Sequence, residues 1–511
     1  MNRSYRNITR LFSIARILAR HDALMMLEKL EIGGPAIALA RLFSRRGSGR
    51  PGQRLALALQ QAGPSFIKLG QALSTRSDLL GEEFSADLSE LQDSLPPFPG
   101  AQARTIIESE FGKPMAALFK DFDEQPIAAA SIAQVHFALT HDGREVAVKV
   151  LRPNIEEAFQ RDVDLMFWVA ELVEAAKPEY RRLRPVETVR TLAKSIEMEM
   201  DLRFEAAAAA ELHENFKDDD SFAVPAVDWQ LTGQKVLVTE RVHGIPIDDI
   251  DALKAAGHDT NDLLQKSASA FFLQVFRDGF FHADMHPGNM FVRADGGLAA
   301  VDFGIMGRLD AKTRRHLGEL LMSFLTRNYR RTAEIHFEAG WIPSDQPVDT
   351  FTQACRSIAE PILDLPQNEI SIAKLLGQLF SITKTFNMET QPQLLLLQKT
   401  MLTAEGTGRK LNPEANMWLM AKPLIEQWVI THLGPEARLA EAAGDLRDGL
   451  ARLPRLLENL DRGAAELANG RIRLHPETIR ALEGGNRFSV GPLTLAIAAA
   501  VLAVFVALAL S

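Results

Sequence analysis

Between His282 and Gly304 the chain reads HADMHPGNMFVRADGGLAAVDFG, and this run dictates a local structure. Two short apolar runs, Met290 to Val292 and Leu298 to Val301, flank a turn at Asp295-Gly296-Gly297 and together predict a β-hairpin. A hairpin folds its ends back on one another. Here the ends carry Asn289 and Asp302, and Asp284 stands just upstream. Two carboxylates and an amide offer oxygen donors, which magnesium prefers to nitrogen or sulfur.

An Asp, an Asn five residues later and a D-F-G tripeptide on the following strand is the spacing by which protein kinases orient a nucleophile and hold metal. Asp284 is then the catalytic Asp, and Asn289 and Asp302 are the ligands of Mg2+ in a site for ATP, whose phosphates need a hard cation. A lone DFG is weak evidence, since an acidic turn after any strand produces it. With HADxHPGN upstream, the bland reading of a capped loop loses most of its weight.

The upstream lobe supplies the remaining parts in order. In REVAVKVL, residues 144–151, Val146, Val148 and Val150 face one side of a strand and Lys149 the other. Lys149 fits the V-A-I-K lysine that contacts phosphates, although alone it is an ordinary strand lysine. Its partner is sought in a long Ala-, Glu- and Leu-rich helical pattern over 186–216. On one continuous helix Asp201 and Glu205 share a face, while Glu199 lies about 120° from Glu205. Glu205 is therefore assigned to Lys149, and Glu199 looks elsewhere or faces solvent.

A protein kinase places G-x-G-x-x-G before the lysine strand so that bare backbone can approach phosphate. This chain has Ala128-Ala129-Ala130-Ser131 instead. Each alanine adds a Cβ that disfavours positive φ and stiffens the loop, so phosphate contact is differently shaped. In isolation AAAS also reads as a helix start or a strand crossing. A strand over Lys235 to Thr239 leads into Thr239-Glu240-Arg241-Val242, where a kinase-like fold offers backbone groups of Glu240 and Val242 to adenine. An apolar helix over 262–280 precedes the catalytic loop. After Gly304 the chain reaches Asp310, a helix cap, within six residues, leaving no A-P-E docking element there. Protein-kinase activity is disfavoured on that ground. Upstream, residues 63–80 read as a helix with Pro64 in its first turn and a polar stripe of Lys68, Gln71 and Thr75, which pattern alone assigns to solvent.

These residues together resemble the UbiB family of atypical kinase-like proteins, associated with ubiquinone biosynthesis in bacteria and mitochondria. The resemblance runs from about Arg54 to about residue 430. It rests on Lys68-Leu69-Gly70-Gln71 (K-x-G-Q), the AAAS loop, Lys149, the E-x-D of Glu199 and Asp201 followed by Glu205, HADMHPGN and VDFG. It implies that the helix of Lys68 and Gln71 packs over the site where a protein substrate would bind, and that Glu199 and Asp201 interact with it, with Lys68 the partner for Glu199. Ala133 and Met285 depart from glycine and proline in many members. Members often end in two membrane helices, whereas this chain offers one long apolar segment.

That segment, Val490 to Leu510, is uncharged and long enough at ~1.5 Å per residue to cross a ~30 Å hydrocarbon core. Arg471, Arg473, Arg480 and Arg487 precede it, so positive charge places the body on the cytoplasmic side. Residues 1–50 hold ten Lys or Arg against three Asp or Glu, and the first helix mixes Arg3, Arg6, Arg10, Arg16 and Arg20 with Leu11, Phe12, Ile14, Ile17 and Leu18. Such a helix suits anionic lipid, and a mitochondrial transit peptide has the same look. The net charge of −9 argues against a nucleic-acid partner, and the single cysteine, Cys355, excludes internal disulfides.

The expected fold is α+β, an atypical protein-kinase-like two-lobed fold with an N-terminal helical extension and a C-terminal transmembrane helix. Its segments are a basic amphipathic membrane-surface stretch (1–50), a helical extension with K-x-G-Q (51–120), an N-lobe (121–240), a C-lobe (241–430), a juxtamembrane helical region (431–489) that also suits a homodimer surface, and the membrane helix (490–510). The expected function is an ATPase at the inner membrane of a bacterium, or of a mitochondrion, supporting ubiquinone synthesis by regulating access to lipid precursors. Membrane lipids, ubiquinone precursors and other biosynthetic enzymes are the expected partners. A small-molecule or lipid phosphotransferase, or a nucleotide-gated scaffold for biosynthetic enzymes, are the alternatives.

Overall fold

The computed structural model describes residues 3–23, 49–74, 95–176, 185–363, 372–382 and 391–414, with 84, 87, 88, 91, 385, 386, 388, 423, 424, 426–428 and 431; all belong to a unit spanning Met1–Leu433. The elements in chain order are α1 (Arg3–Arg20), α2 (Pro51–Ala62), α3 (Pro64–Ser74), α4 (Gly100–Phe111), α5 (Met115–Leu118), β1 (Asp121–Phe122), β2 (Ala128–Ala129), β3 (Ala133–Leu139) and β4 (Glu145–Leu151). Then follow α6 (Ile155–Ala176), α7 (Pro185–Glu199), α8 (Leu202–Phe216), β5 (Phe222–Ala223), β6 (Val236–Glu240), β7 (Ile245–Pro246), α9 (Ile250–Ala255) and α10 (Thr260–Phe272). The C-lobe continues with β8 (Phe280–His282), β9 (Met290–Val292), β10 (Leu298–Ala300), β11 (Met306–Arg308), α11 (Ala311–Leu325), α12 (Tyr329–Glu338), α13 (Val348–Leu363), α14 (Ile372–Ser381) and α15 (Pro392–Leu411).

The valine alternation at 146–150 becomes the centre of the N-lobe sheet. β4 lies between β3 and β6, antiparallel to both, with β1 and β2 on the far edge of β3. Val146, Val148 and Val150 are buried against Ile107, Met115, Leu118 and Phe119 of the α4–α5 segment. The opposite face supports a second cluster in which Ile132, Leu151 and Leu237 meet Phe159 of α6, Ile196 of α7 and Leu202 and Ala206 of α8. At ~25 cal/mol per Å2 of apolar surface removed from water, each such fully buried side chain contributes about 1.5–3 kcal/mol.

The helical pattern over 186–216 is two helices, which corrects the single helix expected from sequence. α7 ends at Glu199, and Asp201 takes an extended conformation (φ −117°, ψ 95°) in which its carboxylate accepts from Arg203 N and caps α8. Asp is a strong N-cap because it satisfies an orphan amide that the helix cannot. Asp201 therefore starts the helix of Glu205 instead of sharing its face. Farther along, α8 reaches the C-lobe core, where Ala209, Leu212 and Phe216 pack with Phe222, Phe271 and Phe281.

The expected hairpin forms as β9 and β10, with Leu298 opposite Val292 and Ala300 opposite Met290. The apolar run before the catalytic loop is α10 followed by a six-residue π-helical turn, Leu273–Asp278. After Gly304 the chain enters β11, which pairs antiparallel with β8 so that Gly307 faces Phe281. Asp310 then caps α11 through Thr313 N.

The apolar residues of α1 divide between protein and exterior. Ile14 is buried in a cluster with Leu55, Leu59, Ile67 and Leu165, and Arg10 pairs with Asp162 of α6 at 2.8 Å. Leu11 and Phe12 stay exposed. Only that part of the stripe remains for the lipid contact expected from sequence. Among the described residues no helix is long and apolar enough to cross a membrane; the segment 490–510, and the juxtamembrane helical region expected over 431–489 apart from residue 431, lie outside the described residues.

Candidate functional site

Lys149 projects from β4 toward α8 and toward Asp302, two residues past the end of β10. Its ammonium donates to both Glu205 carboxylate oxygens, at 2.7 and 2.9 Å, and to Asp302 Oδ1 at 2.9 Å. Burial works against the Lys149 charge, but the Asp302 and Glu205 carboxylates outweigh it and hold the ammonium above its ordinary range. Lys149 in turn holds Asp302 well below the usual carboxylate range, with a smaller contribution from Lys68. Burial pushes the Glu205 carboxyl up, opposed by Lys149. Asp302 is the open member of the trio, its side chain 46% exposed against 9% for Glu205.

Asp302 adopts φ 62°, a left-handed conformation that an Asp tolerates better than most side chains. Its neighbours hold it there. Phe303 is buried in the C-lobe core, and Ile305 O accepts from Ala283 N at 3.0 Å, which ties the chain after Asp302 to the catalytic loop.

The catalytic loop is braced by His282. Its Nε2 donates to Val301 O at 3.1 Å, so Nδ1 is the acceptor for Asp284 N, also at 3.1 Å. Burial lowers the His282 pKa, consistent with that neutral tautomer. This imidazole braces backbone, and His286 similarly accepts from Gly288 N. Asn289 Nδ2 donates to Asp284 O at 3.0 Å, and Val301 N donates to Asn289 O at 2.9 Å. Asn289 and Asp302 thus leave the two ends of one hairpin.

Two supports escaped sequence reasoning. Gln274, in the π-helical turn, accepts from His282 N at 2.8 Å, and Thr400 of α15 donates to Ala283 O at 3.1 Å. The first lies in an apolar helical run eight residues from its partner and the second in LLLLQKTML, 117 residues from its partner, and neither stretch marks a polar contact with the catalytic loop.

The alanine run forms an edge strand and not a helix start. Ala128 and Ala129 pair with Val135 and Gln134, Ala130 N donates to Ala133 O at 2.8 Å, and none of the three takes a positive φ. Ser131 is fully buried and its Oγ has no partner among the described residues. Glu240 ends β6, where its amide donates to Ala226 O, and Val242 follows in the crossing to β7; neither side chain joins the Lys149 cluster.

Lys68 overturns its solvent-facing reading. It is buried on α3, and its ammonium lies 2.8 Å from Glu199 Oε2 at the end of α7. Gln71, one turn on, is half-buried, and its carbonyl accepts from Ser74 Oγ. Asp201 meets Arg203 as well as capping α8.

The donor chemistry fits Mg2+. The Asp284 carboxylate and Asn289 Oδ1 take no hydrogen bond among the described residues, and Asp302 is half open to solvent beside its contact with Lys149, so the loop and the hairpin end offer hard oxygen donors of the type magnesium takes. Among the described residues no cluster of three or more His, Cys, Asp or Glu side chains forms a cage of its own.

A strand lysine held by a helix carboxylate and faced by a DFG aspartate, in an α+β frame, defines an atypical kinase-like protein. Residues 90–336 match the ABC1 atypical kinase-like domain and residues 355–416 the UbiB helical domain. A probable protein kinase UbiB of Marinobacter nauticus is 43% identical over 458 residues, 88% of this chain and 84% of that protein. The proteins of the same name from Vibrio cholerae and Aeromonas salmonicida are 44% and 46% identical, over 83% and 80% of this chain and 80% and 76% of theirs. A solved structure, the Rv3197–erythromycin complex from Mycobacterium tuberculosis, overlaps with a TM-score of 0.47 at 24% identity, covering 69% of this chain and 90% of that one. The chain belongs to the UbiB family.

Proposed function

We propose that the protein is a Mg-ATP-dependent ATPase at the cytoplasmic face of a membrane, supporting ubiquinone biosynthesis by controlling access to lipid precursors. The observation that carries the nucleotide part is Lys149 held between Glu205 and Asp302. Lys149 positions phosphates, Asn289 and Asp302 hold the metal, and the half-buried Asp284 orients the attacking water. Bound Mg2+ neutralises phosphate charge. The backbone of Ala128 to Ser131 covers the phosphates, and Glu240 and Val242 offer backbone groups to adenine.

Lys68 and Gln71 on α3, with Glu199 and Asp201, occlude the side where a peptide would dock. The short connection through β11 favours the same conclusion, since it leaves no room for a peptide-docking segment. The relatives carry the name probable protein kinase, and a phosphotransferase acting on a lipid headgroup or small molecule is the second reading. It draws on Asp284, whose carboxylate has no hydrogen bond among the described residues and so can accept a proton from a hydroxyl as well as from water. The segment boundaries drawn from the sequence stand as part of the proposal, including the apolar segment 490–510 as a single membrane anchor. The ubiquinone link rests on family membership, and the lipid link on the anchor with exposed Leu11 and Phe12 beside Arg16 and Arg20.

Phosphate release by the full chain, with and without phospholipid vesicles, tests the reading against Asp302→Asn. Full activity in that variant sinks the metal assignment. Labelled γ-phosphate appearing on lipid favours transfer, and nucleotide binding without turnover favours a scaffold. Unchanged quinone lipids in cells carrying Asp302→Asn would break the pathway link.

A further inference from the structure

Arg152 directly follows the strand of Lys149 and grips two separate segments. Its Nε and Nη2 donate to Ala130 O at 3.0 and 2.7 Å, while Nη1 donates to Pro96 O at 3.0 Å and Nη2 to Leu95 O at 3.2 Å. The guanidinium also lies 5.8 Å from the Phe98 ring. One planar cation therefore joins the alanine loop to residues 95–99, Leu-Pro-Pro-Phe-Pro.

That strap is stiff and well anchored. Three of its residues are proline, which fixes φ near −65°. Phe98 exchanges two hydrogen bonds with the Gln134 side chain, at 2.9 and 3.1 Å. Gln134 Nε2 then donates to His136 Nε2 at 2.8 Å, and His136 Nδ1 donates to Asp123 O at 2.8 Å. In sequence the strap leads from α3, the helix of Lys68, into the N-lobe.

The grip on Ala130 O decides where the loop points. In a trans peptide the carbonyl and the next N–H point in opposite directions, so holding Ala130 O toward the strap turns Ser131 N–H away from it. Alanines cannot supply this orientation by themselves, because they lack the positive-φ conformations that let glycine loops wrap phosphate.

We propose that Arg152 is a positioning residue that sets the alanine loop over the nucleotide and makes the loop follow the proline strap. The nucleotide half of this statement rests on the function proposed above. The mechanical half, coupling of strap to loop, does not.

Two readouts on the full chain separate them: the dissociation constant of a fluorescent ADP analogue with Mg2+, and amide exchange at 127–133. Arg152→Gln is expected to weaken nucleotide binding about tenfold, the scale of one or two charge-assisted hydrogen bonds, and to speed exchange at both 95–99 and 127–133. Arg152→Lys restores part of both. Gln134→Leu loosens the strap, so it speeds exchange at 127–133 and weakens binding in the native background, but adds little to Arg152→Gln. Strictly additive effects of Gln134→Leu and Arg152→Gln overturn the coupling, as does native exchange at 127–133 in Arg152→Gln. Unchanged nucleotide affinity in a folded Arg152→Gln overturns the positioning role. If the native protein binds no ADP analogue, the nucleotide reading fails while exchange still decides the coupling. Should Arg152→Gln not fold, Arg152→Lys and Gln134→Leu carry the same comparison.

Discussion

Lys149 donates to Asp302 Oδ1 at 2.9 Å across 153 residues of chain, so one ammonium closes the gap between the N-lobe sheet and the end of the C-lobe hairpin. Glu205 holds the same ammonium from the other side at 2.7 Å. One cation thus serves two carboxylates that differ in exposure, and the difference sets what each contributes.

Glu205→Gln removes the buried partner and is expected to cost about 2 kcal/mol, below the ~3–5 kcal/mol of a broken buried pair because Asp302 still faces Lys149 and burial already works against the Glu205 charge. Asp302→Asn, at a half-exposed position, is expected to cost about 1 kcal/mol or less while removing metal-dependent nucleotide binding. Urea unfolding and nucleotide titration read the two effects, and a reversed stability order would contradict the assignment.

Asp201→Ala strips the N-cap of α8 and is expected to cost about 1 kcal/mol, whereas Asp201→Ser retains most of the stability. Equal losses in the two variants would mean that the ion pair with Arg203, not the cap, is what Asp201 supplies.

Lys68 and Glu199 are expected to couple by about 1 kcal/mol in a double-mutant cycle, since both are largely buried but Glu199 keeps some water. A coupling indistinguishable from zero would reduce their contact to one of proximity.

His336 gives the fold an acid limit. It is fully buried, Nδ1 donates to Thr332 O and Nε2 has no partner among the described residues. Burial lowers its pKa to about 4. The unfolded chain takes up this proton near pH 6.5 and the folded one only near 4, so stability falls as pH drops through that window, by about 3 kcal/mol in all. His336→Leu should flatten the dependence between pH 6.5 and 4 in urea unfolding, whatever it does to stability at pH 7.5.

Gly307 tests how tightly the strand after the DFG turn is joined to the catalytic loop. A Cβ there would stand 2.1 Å from Phe281 Cζ. Gly307→Ala is expected to cost about 1–3 kcal/mol, and Phe281→Leu to relieve part of it. A neutral Gly307→Ala would mean that β8 and β11 part easily.

The sequence was most readable where chemistry and local geometry agree. The Asp-Gly-Gly turn and its flanking runs specified the β9–β10 hairpin, and the valine alternation placed Lys149 on the face opposite the core. It was least readable where tertiary contacts reverse a local preference. Lys68 lies in a polar stripe that solvent would normally claim, yet a carboxylate from α7 makes its burial tolerable. The break between α7 and α8 was hidden because Met200 and Asp201 interrupt neither the charge pattern nor the helix-forming composition; only the capping geometry of Asp201 reveals it. Gln274 and Arg152 act on backbone amides and carbonyls outside their own elements, and backbone partners leave no signature in side-chain spacing.

α8 begins among Leu202 and Ala206 in one core and ends among Leu212 and Phe216 in the other, with Glu205 in its first turn. A helix rooted at both ends cannot swing outward to release its lysine, because the movement would pull apolar side chains out of two cores at once. Control by an in-and-out helix, familiar in signalling kinases, is therefore closed to this architecture. What remains adjustable is admission, meaning which molecules reach a lysine that is already in place.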